Sequence, residues 1–147
     1  MEFKIDVSAL QTLAGRFLTA DVHAGLEKGM MIATTKLSSY IVQNKLSGQV
    51  LNIRTGNLAQ SVQTPSPGPS NDFSVTYLVG GKWYGKVHEF GATINVNSPV
   101  YLGNDIGWRY LKTVTIPARP WLNPSIQEKI PEMTEDVTKA VREAIKL

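Results

Sequence analysis

Leu26-Glu27-Lys28-Gly29-Met30-Met31-Ile32-Ala33-Thr34-Thr35-Lys36-Leu37-Ser38-Ser39-Tyr40-Ile41 sets Leu26, Met30, Ala33, Leu37, Tyr40 and Ile41 at three- and four-residue steps. That spacing draws one apolar stripe down an α-helix. Extended in both directions it predicts a helix over 21–46, with Gly48 as its stop. Upstream, Leu10 and Leu13 predict a shorter helix over 8–17, capped by Asp6 or Ser8. Downstream, Ile126, Ile130, Met133, Val137, Val141 and Ala144 repeat the helical step, predicting a last helix over 125–146. Ser125 with Glu128 three residues later reads as its capping box.

Between the helical ends the periodicity changes. Phe73, Val75, Tyr77 and Val79 alternate with Ser74, Thr76 and Leu78, a half-buried strand stopped by Gly80-Gly81. Thr93 to Val96 and Tyr110 to Ile116 read as further strands. Thr64-Pro65-Ser66-Pro67-Gly68-Pro69-Ser70-Asn71 reads as a turn or loop without regular pairing. Asn97 to Trp108, with Pro99, Gly103 and Gly107, reads as a long excursion, a class of loop that is usually functional or disordered until a partner orders it. The expectation is one α+β domain over 1–147. It comprises a mainly antiparallel sheet flanked by a long N-terminal helix and a C-terminal helix: helical 8–46, β-rich 50–116, helical 125–146.

At 147 residues the chain can bury a core without staples. Its 42% hydrophobic and 18% charged residues exclude wholesale disorder. It has no cysteine, which removes disulfides and thiolate metal sites. Met1-Glu2-Phe3-Lys4-Ile5-Asp6 carries charge where a signal peptide requires an apolar run. Met30 to Ala33 is too short to span a bilayer. A soluble, cytoplasmic chain with no membrane partner is the expectation. The net charge of +3 is gathered in the middle, where Lys82, Lys86, Arg109, Lys112 and Arg119 stand against Glu89 and Asp105. That balance suits weak contact with nucleic acid or an acidic protein face, or an ordinary solvated surface.

Tests for chemistry fail one by one. His88-Glu89 would need a second histidine at position 92 to make a zinc-protease helix, and Ala92 stands there. No metal and no cofactor is expected. Gly80-Gly81-Lys82 lacks both the earlier glycine and the following hydroxyl of a phosphate loop. No nucleophile elbow is present, and a catalytic Ser–His88 pair is the only hydrolase route left open. No catalytic residue is assigned and the chain is read as a non-enzyme. Trp83, Tyr84, Trp108, Tyr110 and Trp121 interleave with Lys82, Lys86, Arg109, Lys112 and Arg119, which is how single-stranded nucleic acid is held. The same residues serve equally as core and subunit interface, where Tyr, Trp and Arg are enriched. The interface reading is preferred, with a single-stranded nucleic-acid-binding module as the alternative.

Three further segments follow one another in order. They are Ile53-Arg54-Thr55-Gly56-Asn57-Leu58-Ala59-Gln60-Ser61-Val62, then Tyr84-Gly85-Lys86-Val87-His88-Glu89-Phe90-Gly91, then Ile116-Pro117-Ala118-Arg119-Pro120-Trp121-Leu122. Together, from about residue 21 onward, the chain resembles the tail-completion (head–tail joining, minor tail component) proteins of long-tailed bacteriophages. The 97–108 excursion is longer than that family's pattern suggests. The resemblance implies a structural virion protein of phage or prophage that completes the tail and works at the neck. It implies a homo-oligomeric ring of six subunits between a head-completion or connector protein and the tail tube or tail terminator protein. The ring would assemble from the host cytoplasm, with DNA met only as the passing genome. It marks Thr55, Gly56, Leu58, Ser61, Tyr84, His88, Glu89, Phe90, Gly91, Arg119, Pro120 and Trp121 as structural or interface residues. Lys82, Lys86 and Arg109 become candidates to face the lumen. In physical terms, Thr55 would cap a short helix starting at Gly56, and Gly91 would allow a bend that a side chain blocks. Pro117 and Pro120 would hold Arg119 extended. Arg119 is then expected to pair with Glu89, and Trp121 to anchor the last helix on the sheet.

Overall fold

The computed structural model describes residues 2–4, 19–51, 56–63, 65–71, 74–80 and 82–145. In chain order these form β1 (Glu2–Lys4), α1 (Thr19–Asn44), α2 (Asn57–Gln63), β2 (Ser66–Pro67), β3 (Thr76–Leu78), α3 (Trp83–Phe90), β4 (Ala92–Tyr101), β5 (Trp108–Ile116) and α4 (Leu122–Ala144). The fold is mixed α+β, with two small antiparallel sheets. One sheet runs β1-β3-β2 and the other is the β4–β5 hairpin. The helix expected over 8–17 lies outside the described residues.

The long stripe behaves as its spacing demands. Leu26, Met30, Ala33, Leu37 and Ile41 are buried on α1, facing Met133, Val137 and Val141 of α4. The two helices run antiparallel, which the polar edge of the contact displays. Lys28 meets Glu143, Lys36 meets Asp136 and Lys45 meets Glu128, at 3.3, 2.7 and 3.0 Å. Tyr40 belongs to that edge: it is half-buried, its hydroxyl donates to Glu128, and Lys129 lies over its ring. The Tyr40 hydrogen bond, ahead of the Lys45 one, holds the Glu128 carboxyl below the usual carboxylate range.

Close approach depends on two glycines four residues apart. A Cβ on Gly25 would stand 2.8 Å from the Val141 Cα, and one on Gly29 would stand 2.7 Å from the Val137 Cα. Backbone therefore packs against backbone there, with no room for a methyl group.

Five sequence expectations are corrected. Ser125 is no N-cap: α4 begins three residues earlier, Ser125 is fully buried inside it, and its hydroxyl donates to the Trp121 carbonyl. Glu128 binds Tyr40 and Lys45 in place of a cap. The proline-rich segment does pair, since Ser66 and Pro67 lie opposite Leu78 and Tyr77; β2 is a sheet edge, the place where a residue without an N–H is tolerated. The β-rich middle contains two helices, α2 and α3. The 97–108 excursion is not a loop for most of its length, because the strands pair out to Tyr101 opposite Trp108. The register slips once between Asn95 and Ser98, where Asn97 takes a left-handed φ of 46°, a bulge that absorbs the extra residue. Ile130 also departs from the expected stripe and is partly exposed, beside Pro131 within the helix.

Gly29→Val should lower the urea-unfolding stability by about 1–3 kcal/mol, the usual cost of forcing volume into a packed contact. An unchanged midpoint would mean that α1 and α4 separate freely at that point.

Candidate functional site

The last helix starts without a capping side chain of its own, since Trp121 occupies the cap position. The first backbone N–H groups of any helix have no partner within it and require an acceptor. Here the acceptor comes from α3. The Glu89 carboxylate accepts from the N–H groups of Trp121 and Leu122 through Oε2 and from that of Asn123 through Oε1, each at 2.8 Å. The next residue is Pro124, which has no N–H. The opening donors of α4 are thus fully accounted for by one side chain and one proline. Glu89 is only 4% exposed, and no ion pair involves it among the described residues. The three N–H groups and the positive end of the helix dipole are what its charge meets.

Further contacts close the same junction. The Trp121 indole N–H donates to the Gly85 carbonyl at 3.2 Å, and the Arg119 N–H donates to the His88 carbonyl at 2.7 Å. The Trp121 ring is buried against Gly80 and Gly85, where a Cβ would stand 3.4 and 3.3 Å from it. Gly91 turns the chain out of α3 at φ +73°, and a Cβ there would lie 2.9 Å from the Ala118 backbone nitrogen. The bend expected of Gly91 is present, and both conformation and crowding require glycine.

The three motif segments therefore converge. Leu58 of α2, Gly85 and Glu89 of α3, and Trp121 and Leu122 at the start of α4 line one half-open pocket of about 340 Å³, with Lys82, Trp83 and Lys86 at its rim. Thr55 lies outside the described residues. Gly56, at φ +74°, supplies the carbonyl that accepts the first α2 bond, from the Gln60 N–H at 2.8 Å. Ser61 donates back to the Leu58 carbonyl. Tyr84 meets Trp83 edge to face at 5.8 Å. His88 is half-buried, while Phe90, Arg119 and Pro120 are exposed.

The expected Arg119–Glu89 ion pair is overturned. Glu89 is buried with both oxygens taken by backbone donors, and Arg119 is an exposed side chain whose backbone is what binds α3. Trp121 does anchor α4, but on α3 and Gly80, not on a sheet. Of the candidate lumen-facing cations, Lys82 and Lys86 stand together at the pocket, whereas Arg109 lies far along the hairpin opposite Val100.

Sequence reasoning missed the role of Glu89 as a helix cap. The available signal was negative, a helix start with no Ser, Thr, Asp or Asn at the cap position. It also missed Gly25 and Gly29, whose four-residue spacing beside Leu26 and Met30 was legible.

Among the described residues no group of three His, Asp or Glu side chains is placed to hold a metal ion, and no helix is long and apolar enough to cross a membrane. Comparison with family models, with curated proteins and with solved structures finds no match.

Glu89→Ala should cost about 3 kcal/mol or more in urea unfolding, since three sheltered N–H groups lose their acceptor. Arg119→Ala should stay within about 0.5 kcal/mol of the parent. A large effect of Arg119→Ala with a small one of Glu89→Ala would restore the ion pair.

Proposed function

We propose that this chain is a structural assembly protein of the head–tail junction of a tailed bacteriophage. In that reading it forms a homo-oligomeric ring that completes the tail and joins it to the head connector. The observation that carries the proposal is the meeting of the three segments that resemble tail-completion proteins. Widely separated in sequence, they supply Leu58, Glu89 and Trp121 to a single junction. That junction does no evident chemistry: its carboxylate is committed to three backbone donors, which suits a part whose task is to hold shape. Ring formation by copies of one chain uses heterologous contacts, in which two different surface patches of each subunit meet.

Exposed surface supports a partner-binding role. Trp83 and Phe90, seven residues apart on α3, are 72% and 63% exposed, and the far end of the hairpin exposes Tyr101, Leu102, Ile106, Trp108 and Tyr110. Such apolar surface usually marks an interaction site. The partners in this reading are further copies, the head-completion or connector protein, and the tail tube or tail terminator protein. The virion neck is its destination and the host cytoplasm its place before assembly.

One observation favours a second reading. Trp108, Tyr110 and Lys112 alternate along one face of β5, which offers stacking rings beside a cation to a single nucleic-acid strand.

Light scattering after size exclusion across a concentration series, with negative-stain imaging, tests the proposal. A closed ring, formed alone or on mixing with connector or tail-tube protein, is the expected result. A monomer that ignores both proteins and binds single-stranded DNA with steep salt dependence would overturn it in favour of the second reading.

A further inference from the structure

The β4–β5 hairpin is an arm. Among the described residues its strands pack on each other and make no substantial contact with any other element. A two-stranded hairpin alone is marginally stable in water, yet this one is well formed to its end. Leu102 donates to the Gly107 carbonyl at 3.0 Å, Gly107 donates to the Gly103 carbonyl at 2.7 Å, and both glycines take positive φ. The end so shaped presents Leu102 and Ile106 to solvent, with the exposed acid Asp105 between them. Asp105 is the one acid between Ala92 and Ile116, and no ion pair engages it among the described residues.

The complement stands at the root of the same arm. The pocket beside α3 has an apolar floor of Leu58, Trp121 and Leu122 and the exposed ring of Trp83 as a wall. Lys82 and Lys86 are at its rim, neither with an acidic partner among the described residues. Glu89 lies in the lining, but its oxygens are already committed. An apolar tip bearing one acid therefore faces the need of an apolar pocket bearing two cations.

We infer that the arm tip of one copy seats in the root pocket of a second copy. Asp105 lies between Lys82 and Lys86 there, and Leu102 and Ile106 rest against Trp83 and the pocket floor. Reach requires a second copy. The ten residues of β4 rise about 3.3 Å each, so the tip stands roughly 30 Å from the pocket at the arm's own root. Pocket residues flank both ends of the hairpin, Glu89 just before β4 and Trp121 just after β5. Tip into pocket joins two different patches, the kind of contact that propagates from copy to copy and closes into a ring when the rotation allows. The inference rests on the ring reading and names the contact that builds the ring.

Charge reversal on the full chain tests it, with light-scattering mass as the readout. Where the parent assembles only with connector or tail-tube protein, that protein is added throughout. Asp105→Lys leaves a cationic tip facing a cationic pocket, and Lys82→Glu with Lys86→Glu leaves an acidic pocket facing an acidic tip. Each variant alone should lose the assembled species at a concentration where the parent is fully assembled. An equimolar mixture should regain it, because each tip then finds a pocket of opposite sign. All these positions are exposed, and circular dichroism checks that each variant folds. Assembly unaffected by either variant, or not regained on mixing, would overturn the tip-in-pocket contact and leave the ring reading standing. Loss with the pocket variant alone would assign the pocket to the connector or tail protein and also overturn it. A parent that stays monomeric alone and with both proteins would overturn the ring reading and this contact together.

Discussion

Three N–H groups at the start of the last helix converge on one buried carboxylate, and most of what is distinctive about the chain's second half follows from that convergence. A helix that begins with Trp, Leu, Asn and Pro has no local means of satisfying its first turn. By supplying the acceptor from α3, Glu89 binds two segments more than thirty residues apart to one spot. Once α4 is fixed at its start, the rest of its length lies antiparallel on α1, with Gly25 and Gly29 allowing the two backbones to touch. The interaction is strong because it is sheltered: three charge-assisted bonds, aligned with the helix dipole, share a site that solvent barely reaches.

The same junction sets the hairpin's direction. The chain leaves α3 through Gly91 into β4 and returns from β5 through Pro117 to Pro120 into α4, so both ends of the arm are tied where Glu89 and Trp121 meet. A rigid root makes a projecting arm useful, since its tip is then held at a defined distance from the core. The tip exposes apolar residues, and Trp83 and Phe90 on α3 are uncovered, surface of a kind that usually marks an interaction site.

The helices were legible wherever packing follows a regular step. Leu26 to Ile41 announced α1, and Met133, Val137 and Val141 announced most of α4. The start of α4 was misplaced because Ser125 and Glu128 carry the pattern of a capping box, while the real cap stands 32 residues away from Trp121 and leaves no local trace. The two strands were read in part, over 93–96 and 110–116, but 97–108 was read as a loop because Pro99, Gly103 and Gly107 look like breakers. Pro99 sits on a strand of a two-stranded ribbon that has edges to spare, and the two glycines shape only its end. The Arg119–Glu89 pair failed for a related reason. Opposite charges in two neighbouring motifs suggested attraction between side chains, whereas the contact is made by backbone on one side, and backbone donors are invisible in residue identity.

Amide hydrogen exchange followed by NMR, residue by residue, tests the central claim most directly. The account predicts that the Trp121, Leu122 and Asn123 amides exchange as slowly as the core of α4 in the parent. In Glu89→Gln, where one acceptor oxygen must serve in place of two, that protection should drop selectively while the amides around Val137 and Val141 stay protected. Fast exchange at 121–123 in the parent would contradict it, as would equal protection with and without the Glu89 carboxylate, and the clasp could not then be what holds α3 to the last helix.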